Sequence, residues 1–276
     1  MLRVNAYAPA GKGMLGAKLF GWGSKPGVNY AILLFDRETG LVRAIVDGMS
    51  VTKLRTAATS AVAARLLAPA KALKLGVIGS GLEARSHVEA LASVLQIAGL
   101  SVFSPNSDRR ARFAADFVAQ GIDVCAAANG PEALADADIV IAAAKSNDGG
   151  PVIDGAWVPP YALVISIGST MPGQREVDTR SIVDRDLIVC DTVENVLHTG
   201  DLEAALAQDA TIVERMISLS DLVSGAADER LRDARSPMFK STGSGLQDVV
   251  VAEAAYRMAV AASLATDLPI NFAARG

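Results

Sequence analysis

Leu75-Gly76-Val77-Ile78-Gly79-Ser80-Gly81-Leu82-Glu83-Ala84 is an apolar run followed by a G-x-G-x-x-A turn that opens a helix. A short continuous apolar run reads as a strand buried on both faces. Gly79 permits the tight turn, Gly81 lets the backbone approach a pyrophosphate, and Ala84 keeps the following helix close to the sheet. The helix N-terminus then faces the anion. The context is the one a dinucleotide-binding turn requires, the alternative being a glycine turn in a non-binding α/β domain. Moving downstream, further apolar runs recur at Leu100 to Phe103, Val124 to Ala126, Ile139 to Ala143, Leu163 to Ile167 and Leu187 to Val189, separated by helical stretches. That alternation predicts an α/β fold with a Rossmann-type doubly wound parallel sheet over residues 71–243.

Upstream the period differs. Val28 to Phe35, the turn Arg37-Glu38-Thr39-Gly40 and the run Leu41 to Val46 read as a hairpin. Ser50 is placed to cap a helix carrying Val51, Leu54, Ala58, Val62 and Leu66 at helical spacing, ended by Pro69, and this stripe is expected to face a sheet. Beyond Asp191 the chain turns helical and polar, passes through Pro237-Met238-Phe239-Lys240-Ser241-Thr242-Gly243, and closes in a helix from about Leu246 to Ala265. We therefore expect a smaller α+β domain, residues 1–70, completed by residues 244–276.

The chain has 276 residues, 51% of them hydrophobic, enough for one large core or two modest ones and too many for a disordered reading. Lys plus Arg number 26 against 30 Asp plus Glu, and the basic residues form no stripe that tracks phosphates, so no nucleic-acid partner is expected. Apolar stretches are far shorter than the roughly 20 residues of a membrane span, and Met1-Leu2-Arg3-Val4-Asn5 does not resemble a signal peptide, so none is expected. Cys125 and Cys190 lie in strand-like apolar runs and read as buried thiols without a disulfide, in keeping with a reducing cytoplasm. His87 and His198 have no ligand-spaced partners, and no metal is expected.

Candidate cofactor contacts start with Gly79, Ser80, Gly81 and Leu82. In the dinucleotide fingerprint an acid ends the next strand and holds the ribose hydroxyls of NAD. Here the tip reads Phe103-Ser104-Pro105-Asn106-Ser107, with Asp108-Arg109-Arg110 after it. Ser104, Asn106, Ser107 and Arg109 are thus candidates to receive a 2′-phosphate; in the other reading Asp108 merely caps a helix and the arginines are solvated. The expected cofactor is NADP or NAD. Ser146, Gly168 and Ser169 follow later strands, where carboxyl-end loops approach a cofactor. Asp201, after Gly200 and before Leu202-Glu203-Ala204-Ala205-Leu206, reads as a helix N-cap in preference to a catalytic acid.

Three ordered blocks resemble the ornithine cyclodeaminase/μ-crystallin family: Asp47-Gly48-Met49-Ser50-Val51-Thr52-Lys53-Leu54-Arg55-Thr56-Ala57-Ala58, Gly168-Ser169-Thr170-Met171-Pro172-Gly173-Gln174-Arg175-Glu176-Val177-Asp178, and Lys240-Ser241-Thr242-Gly243-Ser244-Gly245-Leu246-Gln247-Asp248. The resemblance implies a two-domain subunit, a homodimer formed through the smaller domain, and hydride transfer between a nicotinamide and a carbon bearing nitrogen and a carboxylate. Arg55 is then the carboxylate clamp, as a planar guanidinium suits bidentate binding. Lys18 matches a family lysine that holds the carboxylate or supplies a proton to an imine nitrogen. Thr56 joins the cofactor candidates, as do Lys240, Ser241 and Gly243 of the late block near the nicotinamide, although Lys240 reads equally as a strand-end charge.

Two departures shape the functional reading. The cyclodeaminases and some dehydrogenases of the family carry an aspartate two residues before the proline of the middle block, and this chain has Thr170, which cannot act as a carboxylate base. That favours reduction over cyclodeamination at the same catalytic position. The glycine loop also comes earlier than usual in the family, as if a front segment bearing part of the sheet and another substrate-binding arginine were missing. The expectation is an NAD(P)-dependent reductase of an imine or ketimine carboxylate, or a dehydrogenase of a small L-amino acid. The alternatives are ornithine cyclodeaminase and a μ-crystallin-like binding protein with little turnover.

Overall fold

A computed structural model describes residues 2–11, 13–24, 27–144 and 149–270, and the chain divides into two compact units, residues 1–55 with 243–276 and residues 56–242.

The first unit starts with four strands, β1 (Leu2–Tyr7), β2 (Leu15–Trp22), β3 (Val28–Phe35) and β4 (Val42–Asp47), joined in sequence as an antiparallel sheet. The β3–β4 hairpin is the one read from the sequence; β1 and β2 were not anticipated, because β2 interleaves a glycine and a lysine with its apolar residues. Along β2 the buried positions are Gly16, Lys18 and Phe20, so a lysine occupies the inward phase of a two-residue period. Helix α1 (Gly48–Leu67) follows, and the division between units falls inside it, between Arg55 and Thr56. Its cap is Asp47, not Ser50: the Asp47 carboxylate accepts from the Met49 and Ser50 amides, each at 3.0 Å, and from the Ser50 hydroxyl. The expected stripe is also displaced. Leu54 and Val62 are 53% and 45% exposed and Ala58 is exposed as well, while Val51, Arg55, Ser60 and Ala64 are buried. The stripe is thus inward only at its ends, where Val51 is buried and Leu66 packs against the core, and the rest of the packed side is Arg55, Ser60 and alanines.

The second unit holds β5 (Leu73–Ile78), α2 (Leu82–Ala92), β6 (Ile97–Phe103), α3 (Ser107–Val118), β7 (Val124–Ala126), α4 (Gly130–Leu134), β8 (Ile139–Ala142), β9 (Leu163–Ser166), α5 (Arg180–Val183) and β10 (Leu187–Cys190). It continues through α6 (Val193–Leu197), α7 (Gly200–Leu206), β11 (Met216–Ser218), α8 (Leu219–Ser224), α9 (Asp228–Asp233) and β12 (Pro237–Lys240). Eight strands form one sheet in the order β11-β10-β12-β9-β8-β5-β6-β7, every neighbouring pair parallel. Alternate residues feed two cores, Leu75, Val77, Ile139 and Ile141 on one face and Ile78, Val140, Val164 and Met238 on the other. The order runs outward from β5 both ways, so the crevice at the carboxyl ends of β5 and β8 is the switch point at which such sheets bind ligands. Cys125 corrects the buried-thiol reading: it lies on the edge strand β7 and is exposed, whereas Cys190 is buried; both are free.

Helix α10 (Gly245–Ala261) closes the first unit against β2, with Val249 and Ala252 joining Ile32, Leu34 and Val51 in its core. It opens with a capping box in which the Ser244 hydroxyl accepts from the Gln247 amide and the Gln247 side chain accepts from the Ser244 amide. Among the described residues no helix is long and apolar enough to cross a membrane.

Candidate active-site clusters

In the first unit Lys18 from β2 and Arg55 from α1 converge on Asp248 of α10. Lys18 Nζ lies 2.8 Å from each Asp248 carboxylate oxygen and Arg55 Nε lies 3.1 Å from Oδ1. Arg55 Nη1 donates to Gln247 Oε1 at 3.2 Å, and Lys18 Nζ to Thr52 Oγ1 at 3.5 Å. The Lys18 ammonium also stands 5.4 Å from the centre of the Phe20 ring. Burial lowers the Lys18 pKa from the ordinary lysine value, the Arg55 charge lowers it further, and Asp248 opposes both. Gly243, at φ +80°, lies against the Arg55 guanidinium, and a Cβ there would collide with it. Asp248 was not singled out from the sequence because an acid in a helix's first turn is ordinary dipole chemistry. Its signal is a buried acid placed to answer two cations on inward-facing phases.

In the second unit the glycine loop takes the expected form. Gly79 has φ +121°, and a Cβ on it would run into the Ala143 carbonyl oxygen after β8; Gly81 has open space at that position. Gly81 caps α2 in extended conformation with no side-chain cap, and the first turn carries the exposed Leu82 and the half-buried Glu83. This cradle fits a pyrophosphate. At the β6 tip, Ser80 Oγ is 2.8 Å from Ser104 Oγ, and Asn106 caps α3 by accepting from the Arg109 amide at 2.8 Å. The cap is therefore Asn106 and not Asp108. Ser107 and Arg109 are exposed in the first turn of α3.

A second buried cluster sits at the carboxyl ends of β9 and β12. Lys240 is fully buried, its Nζ 3.0 Å from Asp201 Oδ2 and donating to Ser166 Oγ at 2.9 Å and the Ser169 carbonyl at 3.1 Å. It is not a strand-end surface charge. Asp201 is not an N-cap either: it lies in the first turn of α7, and its carboxylate accepts from the Glu176 amide at 2.8 Å and the Val177 amide at 3.4 Å. Glu176 Oε2 accepts from Ser166 Oγ and the amides of Ile167 and Gly168 at 2.8, 2.9 and 2.7 Å. Burial pushes its pKa up to about 7 against the pull of Lys240. Glu176 escaped the sequence reading because it falls among exposed polar residues. Thr170 is exposed, its amide donating to Gln174 Oε1 at 3.2 Å. Ser241 Oγ donates to Asp191 at 2.7 Å. Thr56 is buried, and Ser146 lies outside the described residues. His87 is buried, with Nε2 3.0 Å from Ser60 Oγ and Nδ1 2.7 Å from the Glu83 carbonyl.

The model of the ornithine cyclodeaminase/mu-crystallin family matches residues 21–263. The Delta(1)-pyrroline-2-carboxylate reductase of Paracoccus denitrificans is 35% identical over 235 residues, 82% of this chain and 72% of that protein. Among solved structures, an archaeal alanine dehydrogenase dimer with bound NAD has a TM-score of 0.87 at 27% identity, covering 98% of this chain and 84% of that one. The Thermococcus litoralis Delta(1)-pyrroline-2-carboxylate reductase in complex with NADH and L-proline has a TM-score of 0.84 at 28% identity, covering 92% and 81%.

Proposed function

The chain belongs to the ornithine cyclodeaminase/mu-crystallin family, and we propose that within it this protein is an NAD(P)-dependent oxidoreductase that reduces an imine or ketimine carboxylate, or dehydrogenates the corresponding small L-amino acid. The observation that carries the reading is the pair Lys18 and Arg55 held by the single buried acid Asp248. Two cationic donors converging on one buried point support binding of a substrate carboxylate through charge-assisted hydrogen bonds.

Arg55 is assigned the carboxylate clamp, oriented by Asp248 and Gln247. Lys18, its pKa lowered from the usual lysine value, is the better acid for it and is assigned delivery of a proton to the imine nitrogen, directly or through a water. The glycine turn Gly79 to Leu82 holds the pyrophosphate, with Ser104, Ser107 and Arg109 towards the ribose; the loop at Gly168, Ser169 and Thr170, with Lys240 and Ser241 behind it, bounds the nicotinamide. A nicotinamide dinucleotide bound there supplies or accepts the hydride. Exposed Thr170 offers no carboxylate to a substrate amine, which supports reduction over cyclodeamination.

The solved alanine dehydrogenase relative is a dimer, and we extend that state to this chain: α10 exposes Leu246, Val250, Ala254 and Met258 at four-residue spacing, an apolar stripe that a second subunit would cover.

The test is oxidation of NADPH or NADH with pyrroline-2-carboxylate, piperideine-2-carboxylate, iminosuccinate, or pyruvate plus an amine, followed at the nicotinamide absorbance. Turnover of at least one is expected. Proven cofactor binding without turnover of any overturns the enzymatic reading, and release of ammonia and proline from ornithine without net cofactor consumption replaces it with cyclodeamination.

A further inference from the structure

On the smaller sheet β1 runs antiparallel to β2, with Arg3 directly opposite Phe20. Residues opposite one another in an antiparallel ladder share a face, and so do residues two apart on one strand. Arg3 therefore stands on the face of Lys18, as its diagonal neighbour and within reach of a long side chain. The Phe20 ring joins the two: the Arg3 guanidinium carbon lies 5.5 Å from its centroid and the Lys18 ammonium 5.4 Å. The ring is itself held, with Trp22 edge-on at 5.2 Å between centroids and Tyr30 stacked at 5.7 Å. Lys18 thus shares Asp248 with Arg55 and the Phe20 ring with Arg3.

Arg3 differs from those two cations in having no acid against it. Its side chain is exposed, and among the described residues it forms no ion pair and no hydrogen bond. Its charge nevertheless reaches the cluster: burial, then Arg55 and, last, Arg3 lower the Lys18 pKa, against the pull of Asp248. A guanidinium in this state has a whole planar fork to offer one carboxylate. A substrate with its α-carboxylate on Arg55 and its imine nitrogen at Lys18 still has the rest of its carbon chain to place, and Phe20 is the apolar surface between Lys18 and Arg3. We propose that Arg3 binds a second carboxylate at the far end of the substrate, so that the preferred substrate is an imino dicarboxylate. Hydride goes to the imine carbon and a proton to its nitrogen, giving the amino dicarboxylate; Arg3 takes no part in that step and decides which chain is held for it. The proposal rests on the oxidoreductase reading and adds the substrate class to it.

The test compares NADPH or NADH oxidation with oxaloacetate plus ammonia, which condense with loss of water to an imino dicarboxylate, and with pyruvate plus ammonia, which give the monocarboxylate. The dicarboxylate is expected to have at least about a tenfold higher kcat/KM, with most of the difference in KM. The preference should shrink as salt is raised, because Arg3 is exposed. Arg3→Ala should keep the wild-type circular dichroism spectrum and bring the ratio of the two kcat/KM values close to one. Arg3→Lys, which keeps the charge without the fork, should retain part of the preference. A wild type that does not favour the dicarboxylate, or a preference that survives Arg3→Ala, overturns the proposal and leaves Arg3 a solvated edge residue, with the oxidoreductase reading standing. Turnover of pyrroline-2-carboxylate alone has the same consequence. No turnover of any imine overturns both.

Discussion

The two buried ion clusters are built from the same side-chain chemistry in opposite proportions. Among the described residues, the printed ion pairs of the first unit set two cations against one acid, and Arg55 keeps 9% of its side chain exposed while Asp248 is fully covered. In the second unit one cation shares two acids, and Lys240 and Asp201 are both at 0%. Glu176, the second acid, is pushed up to about 7 and so approaches neutrality, which balances the cluster internally. An unbalanced cluster with an opening still has charge to offer a ligand. A balanced and closed one has spent its charge on backbone amides and carbonyls, here those of Ile167, Gly168, Ser169, Glu176 and Val177. The lesson is that burial of ionisable groups separates into recognition and scaffolding by stoichiometry and access, even where the individual distances are alike.

Arg55→Ala breaks the first half of that contrast and should have the largest effect. Removing the clamp from a desolvated carboxylate contact costs about 3–4 kcal/mol, so kcat/KM should fall by roughly 100-fold to 1000-fold with most of the loss in KM. The melting temperature should move little, since Asp248 keeps Lys18. Steady-state kinetics read the first part and calorimetry the second; a loss under tenfold removes Arg55 from the clamp role.

Lys240→Met tests the other half, and the balance of effects should reverse. It leaves Asp201 buried without its ion-pair partner, a change that destabilises by about 3–5 kcal/mol. In a chain of this size the melting temperature should drop by roughly ten degrees. If instead Lys240→Met melts like the wild type, the second cluster is not a scaffold and the contrast fails.

How much of this was readable beforehand divides along the same line. Most of the parallel sheet was legible because its strands are local apolar runs: Val124–Ala126 was placed to the residue, and β8, β9 and β10 within one, whereas β11, three residues inside a stretch read as helical and polar, was not anticipated. The glycine turn was legible because its conformational demand lies within six residues. In the smaller unit β1 and β2 were missed, since polar residues interrupt both runs, and the stripe of α1, outward in its middle, misled because helical spacing does not say which side faces the core. Lys18 and Arg55 were found through resemblance, although their inward phases on β2 and α1 carry the same signal. Asp248 and Glu176 answer partners at separations of 193 to 230 residues and of 10 residues respectively. The first lies beyond any local pattern, and the second was hidden inside a polar loop.

The finest test of the contrast concerns protonation. If the second cluster is balanced because Glu176 gives up its charge, then Glu176→Gln, neutral at every pH, should preserve it. Glu176 ordinarily titrates at 4.5 and is raised in the fold to about 7 by burial. The folded state thus holds a proton between those values that the unfolded chain has released. Stability from this group is complete below pH 4.5 and declines as pH rises through the window up to about 7, beyond which the slope ends. The wild type should lose a few degrees of melting temperature across that window from this group alone, on top of whatever other residues contribute. Glu176→Gln should flatten that component, matching the wild type near pH 5 and exceeding it near pH 8. Calorimetry at half-unit steps reads the difference between the two curves. Parallel curves would mean that Glu176 keeps its charge in the fold, and that the Lys240 cluster tolerates two carboxylates against one ammonium.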